Sequence, residues 1–224
     1  RVARLLPRFL ACRPELIAVD LHPDMQATRM GRRLAQELGV PVAEVQHHHA
    51  HAAAALAEHG LDEGLALVMD GTGFGTDGTI WGAELLAVRP GGFQRLATFA
   101  PVPLPGGDAA VRRPARQVIA RWAAAGVEPS PQMLRRLGVS DEEAAVWRQQ
   151  CRQGLNAPLS HAAGRLFDSF SALLGIAPAD ATYEGQPAVR LEAAARRAAG
   201  EGCCGALPFS ITETQGRLCV DWSE

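Results

Sequence analysis

Apolar and polar positions change their period several times along the chain, and each change marks an element. Residues 16–20 (LIAVD) form a short continuous apolar run that reads as a buried strand. From residue 24 to 38 the spacing turns helical through Met25, Met30, Leu34 and Leu38, and Gly39 with Pro41 ends it. Residues 42–45 give a second strand, and residues 48–59 an Ala-rich helix closed by Gly60. Hairpins follow. Residues 65–69 are a strand, 70–79 a glycine-rich loop, 80–88 a strand, Pro90-Gly91-Gly92 a turn and 93–99 another strand. The order is β-α-β-α-β-β-β, a mixed α/β layout with an antiparallel portion.

Residues 101–114 are rich in Pro and Gly and predict a lobe boundary or a long surface loop. A first α/β lobe is expected over residues 1–100, holding the His-rich helix and the glycine-rich hairpin, and a mainly helical, incomplete second lobe over residues 101–224. Helices are predicted at 116–125, 141–153, 161–174 and 188–199. A hairpin is predicted from 207–211 and 218–222 across Thr214-Gln215-Gly216. The opening at Arg1 and the strand at the very end predict a chain cut short at both ends.

Composition narrows the chemistry. The 224 residues carry a formal charge of −2, which gives no footprint for nucleic acid or an anionic membrane. No apolar run nears the ~20 residues a bilayer span needs, and Arg1 opens into amphipathic sequence, so neither anchor nor signal peptide is expected. Every basic residue is Arg. The absence of Lys excludes a Walker phosphate loop and a Schiff-base lysine from this stretch. Of the five Cys, none makes a C-x-x-C pair and Cys203 and Cys204 are adjacent, so reduced thiols in the cytoplasm are expected.

Three constellations remain. His47, His48, His49 and His51 crowd a strand-to-helix junction. Four residues apart on a helix, His47 and His51 share a face and can present nitrogens to one ion; His48 and His51 do so less well, and His49 points elsewhere. Two imidazoles need a carboxylate from elsewhere, a set suited to iron or zinc. The alternative is a polar helix start whose His residues cap it or face water.

The second is Asp70-Gly71-Thr72-Gly73 through Thr79. Its glycines can aim amides at an anion, its threonines add donors, and Asp70 and Asp77 can hold a metal or its water; otherwise it is a long hairpin turn. It resembles the phosphate loops of the actin, hexokinase and sugar-kinase superfamily. The third is the helix with Gly164, Asp168 and Ser171 on one side, either a close ligand contact or a solvated polar face. Gly185, a short loop downstream, offers a similar approach. Asp20-Leu21-His22-Pro23 at a strand's end reads as a turn or helix entry, and Trp81 and Glu84 as packing and local pairing.

Five ordered segments (DLHPDMQATR, VQHHHAHAAAALAEHGL, DGTGFGTDGTIWGAE, HAAGRLFDSFSALLGI and YEGQPAVRLE) together resemble the C-terminal, Kae1-like domain of the HypF carbamoyltransferases of [NiFe]-hydrogenase maturation. The resemblance implies a two-lobed, actin-like and RNase H-related (ASKHA) fold. It implies His47 and His51 as metal ligands, ahead of His48. It puts Asp70, Gly71, Thr72 and Gly73 against nucleotide phosphates, and Asp168 and Gly185 near ribose and base. It further implies ATP with Mg2+, an iron or zinc ion and carbamoyl phosphate. A carbamoyl adenylate would form, and its carbamoyl group would pass to the C-terminal Cys of the partner HypE. No general base or other catalytic residue is assigned, and a third metal ligand is not named. The competing expectations are a tRNA threonylcarbamoyl transferase, which fits the Trp81–Glu84 strand poorly, and an inactive, binding-only fragment.

Overall fold

The computed structural model describes residues 2–199 and 206–222; Cys203 and Cys204 lie outside them. It opens with α1 (Val2–Phe9), which the periodicity does not reveal because it is short and carries Pro7. A βαβ unit follows. Strand β1 (Ile17–Asp20) pairs in parallel with β2 (Val42–Val45), Asp20 opposite Val45, and α2 (Gln26–Leu38) makes the crossover. Gly31 lets α2 lie flat on β1, since a Cβ there would stand 2.4 Å from a Val19 methyl. The run at 16–20, expected to be buried, is covered on one side: Val19 is buried, but Leu16 is exposed.

Helix α3 (His47–Glu58) starts one residue after β2 and lies over an antiparallel meander of β3 (Gly64–Phe74), β4 (Ile80–Arg89) and β5 (Gly92–Phe99). Ala52 and Leu56 of α3 pack with Val68, Trp81, Leu86 and Val88, a core held by apolar burial. The glycine-rich stretch corrects one expectation. Residues 70–74 are strand, with a bulge between Met69 and Gly73, and only the tip at 75–79 turns. Gly78, at φ 77°, takes the left-handed step there.

The next residues form α4 (Asp108–Arg112), α5 (Ala115–Ala124), α6 (Pro131–Leu137) and α7 (Asp141–Gln153). Ile119, Leu134, Val139 and Trp147 make a second core among them. Capping boxes at Ser130 and Ser140 fix the starts of α6 and α7. Arg113 pairs with Glu143 at 2.5 Å and stacks on Trp147.

Short strands β6 (Val102–Pro103) and β7 (Leu159–Ser160) lead into α8 (Ala163–Leu173) and α9 (Gln186–Ala198). The hairpin of β8 (Ser210–Thr214) and β9 (Arg217–Asp221) closes the described chain, turning at Gln215-Gly216 with both φ positive. One seven-stranded sheet runs β6-β7-β4-β5-β9-β8, with β3 also on β4. Strands from both sides of residue 100 therefore share one hydrogen-bonded layer.

Candidate functional site

The β2–α3 junction and the end of β3 meet at one point. Gln46 caps α3 by accepting from the His49 amide at 2.8 Å, which sets the phase of the helix. His47 and His51 then meet edge to face one turn apart, with their Nε2 atoms 3.2 Å from each other. Asp70 on β3 brings its Oδ2 to 3.2 Å from His47 Nε2. The three donor atoms lie within 4.8 Å of one another. Two imidazole nitrogens and a carboxylate oxygen are a donor set for a divalent ion. Asp70 Oδ2 is buried and makes no hydrogen bond, although its neighbours are polar. Such an orphaned oxygen is costly unless a cation satisfies it, so the residues fit the group.

His48 is fully buried and faces the same carboxylate from the other side, its Nε2 3.5 Å from Asp70 Oδ2. The Gln46 amide donates to Phe74 O at 3.1 Å and stands 3.2 Å from His48 Nδ1. Since that NH2 group can only donate, Nδ1 accepts and the His48 proton sits on Nε2, toward Asp70. Burial pulls the His48 pKa below its ordinary value, with the Glu84 and Asp70 charges opposing. Walled in, His48 backs the carboxylate at 3.5 Å without hydrogen-bonding it. His49 turns away onto Phe93, with ring centroids 4.9 Å apart.

The glycines of the hairpin serve close packing. A Cβ on Gly73 would stand 2.4 Å from the His48 ring, and one on Gly75 would stand 2.1 Å from Trp81 Nε1. Asp77 is a brace at the tip. It accepts from Thr79 N, Thr79 Oγ1 and Trp81 Nε1, and Arg95 bridges it to the buried Glu84 at 2.8 and 2.6 Å. Burial pushes the Asp77 carboxyl up, but the Thr79 and Trp81 hydrogen bonds and the Arg95 charge outweigh it and leave it well below the ordinary range. Of the two aspartates read as candidate metal groups, the structure brings Asp70 to the imidazoles and commits Asp77 to the hairpin.

Helix α8 reaches the site through Gly164, where a Cβ would meet Gly71 Cα at 3.0 Å. The face carrying Asp168 and Ser171 is buried, not solvated. Asp168 sits 3.1 Å from Arg165, and burial lifts its carboxyl to about 6 in spite of that guanidinium. Gly185 opens α9 at φ 75°, with open space where a Cβ would stand. A cleft of about 440 Å3 between α3 and β3 ends at His51 and Asp70, with Ala52, Leu56 and Met69 on its walls. Sequence reasoning left the third donor unnamed and missed the support from His48. The available signal for Asp70 was its place at the end of the apolar β3 run, where α3 must cross.

Comparison with known proteins gives the same assignment along the chain. Residues 1–58 match the family described as the HypF Kae1-like domain, and residues 66–224 match the Carbamoyltransferase, Kae1-like Domain, second subdomain. The carbamoyltransferase HypF of Rhodobacter capsulatus is 48% identical over 187 residues, 82% of this chain and 25% of that protein. A crystal structure of full-length HypF in the phosphate- and nucleotide-bound form superposes with a TM-score of 0.80 at 28% identity, over 98% of this chain and 27% of that one. The crystal structure of T. kodakarensis HypF gives 0.78 at 29% identity, over 99% and 30%. The chain spans about a quarter of the length of these relatives. Its mixed α/β fold is that of their Kae1-like domain and accords with the actin-like, RNase H-related class expected from the sequence. The chain belongs to the HypF carbamoyltransferase family, in its Kae1-like region.

Proposed function

We propose that this chain supplies the metal- and nucleotide-holding centre of an ATP-dependent carbamoyltransferase acting in [NiFe]-hydrogenase maturation. The observation that carries the reading is the convergence of His47 Nε2, His51 Nε2 and Asp70 Oδ2 at the mouth of the cleft between α3 and β3. A divalent ion held there, iron or zinc, supplies positive charge beside phosphate groups. The strand end at Asp70, Gly71, Thr72 and Gly73 presents backbone and hydroxyl groups to the triphosphate of ATP, with Asp168 and Gly185 toward ribose and base. The nucleotide-bound HypF relative supports this use of the fold. On this reading carbamoyl phosphate is cleaved to carbamate and phosphate, the carbamate displaces pyrophosphate from the α-phosphate of ATP to give the adenylate, and a C-terminal Cys thiolate of HypE takes the carbamoyl group with release of AMP. The chain's own residues position and neutralise rather than exchange protons. Cys12, Cys151 and Cys219 are unpaired, and no helix among the described residues is long and apolar enough to cross a membrane; a cytoplasmic setting accords with both.

The test is metal content and ATP titration of the chain and its variants. His47→Ala and His51→Ala should each abolish stoichiometric metal, whereas His49→Ala, turned onto Phe93, should keep it. Equal loss from all three would defeat the ligand assignment.

A further inference from the structure

Asp20 closes β1 and belongs to no donor set, yet it is built into place more firmly than a turn residue requires. Its carbonyl oxygen accepts from the Thr28 hydroxyl of α2 at 3.1 Å, and Thr28 is fully buried. Its Oδ1 accepts from the His22 amide at 2.8 Å. Both contacts aim the remaining oxygen, Oδ2, at His47 Nδ1, 2.8 Å away and 27 residues distant in sequence. The parallel β1–β2 register, with Asp20 opposite Val45, delivers that carboxylate to the start of α3.

We infer that Asp20 is the positioning residue of the metal centre, and that it acts by fixing the tautomer of His47. The inference rests on the metal reading of the previous section. Both ring nitrogens of His47 face a carboxylate, but only Asp20, at 2.8 Å from Nδ1, is in hydrogen-bond geometry; Asp70 Oδ2, 3.2 Å from Nε2, makes no hydrogen bond, so the proton of a neutral His47 belongs on Nδ1. Nε2 then carries a bare lone pair, directed at the point where His51 Nε2 and Asp70 Oδ2 converge. A ring free to choose would spend part of its time with the proton on Nε2, where it blocks coordination. Outer carboxylates of this kind orient ligating imidazoles and raise their basicity; losing one typically costs about 10- to 100-fold in metal affinity.

The geometry makes Asp20→Asn a sharper probe than its small size suggests. The His22 amide requires an oxygen at the Oδ1 position, so the Asn carbonyl takes that place and its NH2 turns to His47. An NH2 group can only donate, so His47 Nδ1 must accept and its proton moves to Nε2. A near-isosteric change should thus invert the tautomer and close the coordinating nitrogen.

The experiment is Co2+ titration of the protein, followed by visible absorption and calorimetry, alongside 15N chemical shifts of the imidazoles in the metal-free state. The wild type should show His47 protonated on Nδ1. Asp20→Asn should move that proton to Nε2 and weaken Co2+ binding about 10- to 100-fold, with a melting temperature close to wild type. Wild-type His47 protonated on Nε2 would overturn the inference without any variant. If His51→Ala loses Co2+ while Asp20→Asn binds as wild type, the metal reading stands and the role of Asp20 falls. A wild type that takes up no Co2+ overturns both.

Discussion

Asp168 shows how far a single residue's chemistry depends on the packing around it. Its neighbours Gly164 and Ser171 share its side of α8, and the alternation along the helix leaves open whether that side meets water, ligand or protein. The side meets protein: Asp168 is 2% exposed beside Arg165, and burial lifts its carboxyl from the ordinary range to about 6. The folded state holds the Asp168 proton more tightly than the unfolded chain, so its contribution is fully present below about pH 4 and is lost as pH rises through about 6. A shift from 3.8 to about 6 corresponds to ~3 kcal/mol. Asp168→Asn should therefore remove a downward slope in stability between about pH 4 and pH 6, and should be the more stable protein at pH 8. Urea midpoints across that range check this, and parallel profiles for the two proteins would show that Asp168 titrates as an ordinary carboxylate. If Asp168 also meets the ribose, the same variant should weaken ATP binding at pH 8 while stabilising the fold, two effects of opposite sign.

At the scale of elements, the hairpin of β3 and β4 was the segment most open to misreading. Glycines at 71, 73 and 75 look like a loop in sequence because glycine is the usual signal for one. Here Gly73 and Gly75 mark surfaces where His48 and Trp81 press against the backbone, and Gly71 lies against Gly164 of α8, a three-dimensional cause invisible to local pattern. Elements with a strong period and a stop signal were legible. Helices α2 and α7 and strands β2 and β4 lie within about two residues of where spacing put them, because Gly39, Gly154 and Pro90 punctuate them. The His47–His51 spacing was legible for the same reason, since one helical turn is a local rule. That Asp20 and Asp70 meet those imidazoles was not, because only the β1–β2 register and the crossing of α3 over β3 bring them to that helix. The hairpin tip gives its own test. Asp77 is a shared acceptor for Thr79, Trp81 and Arg95. Asp77→Ala should lower stability by ~1–3 kcal/mol by urea denaturation, and Asp77→Asn, which keeps one acceptor, by less. With its pKa depressed in the fold, Asp77 stabilises above the ordinary carboxylate value and ceases to as pH falls toward its folded value, so the deficit of Asp77→Ala should shrink in acid. A deficit that holds constant into acid would mean that charge contributes nothing to the brace.

At the scale of the whole molecule the sheet is asymmetric. Its far side ends in the β8–β9 hairpin, while β3 hydrogen-bonds to β4 alone among the described strands. Inward positions Ala66 and Val68 are covered by α3, but the alternate positions Leu65, Leu67 and Met69 are 69%, 66% and 50% exposed. An edge strand paired on one side only, with a row of bare apolar side chains, is a template for pairing with another chain. Each of those side chains would gain roughly 1.5–3 kcal/mol if fully covered, so the incentive to find a cover is large. The protein on its own should therefore bind an apolar-surface dye and associate with itself as concentration rises. Leu67→Glu places a charge at the middle of the row, where the side chain it replaces has little contact to lose. That variant should bind less dye and stay monomeric to higher concentration in sedimentation, with an unfolding midpoint close to wild type. Undiminished dye binding and association in Leu67→Glu would move the exposed surface elsewhere, with Phe9 of α1, 85% exposed, the next place to substitute.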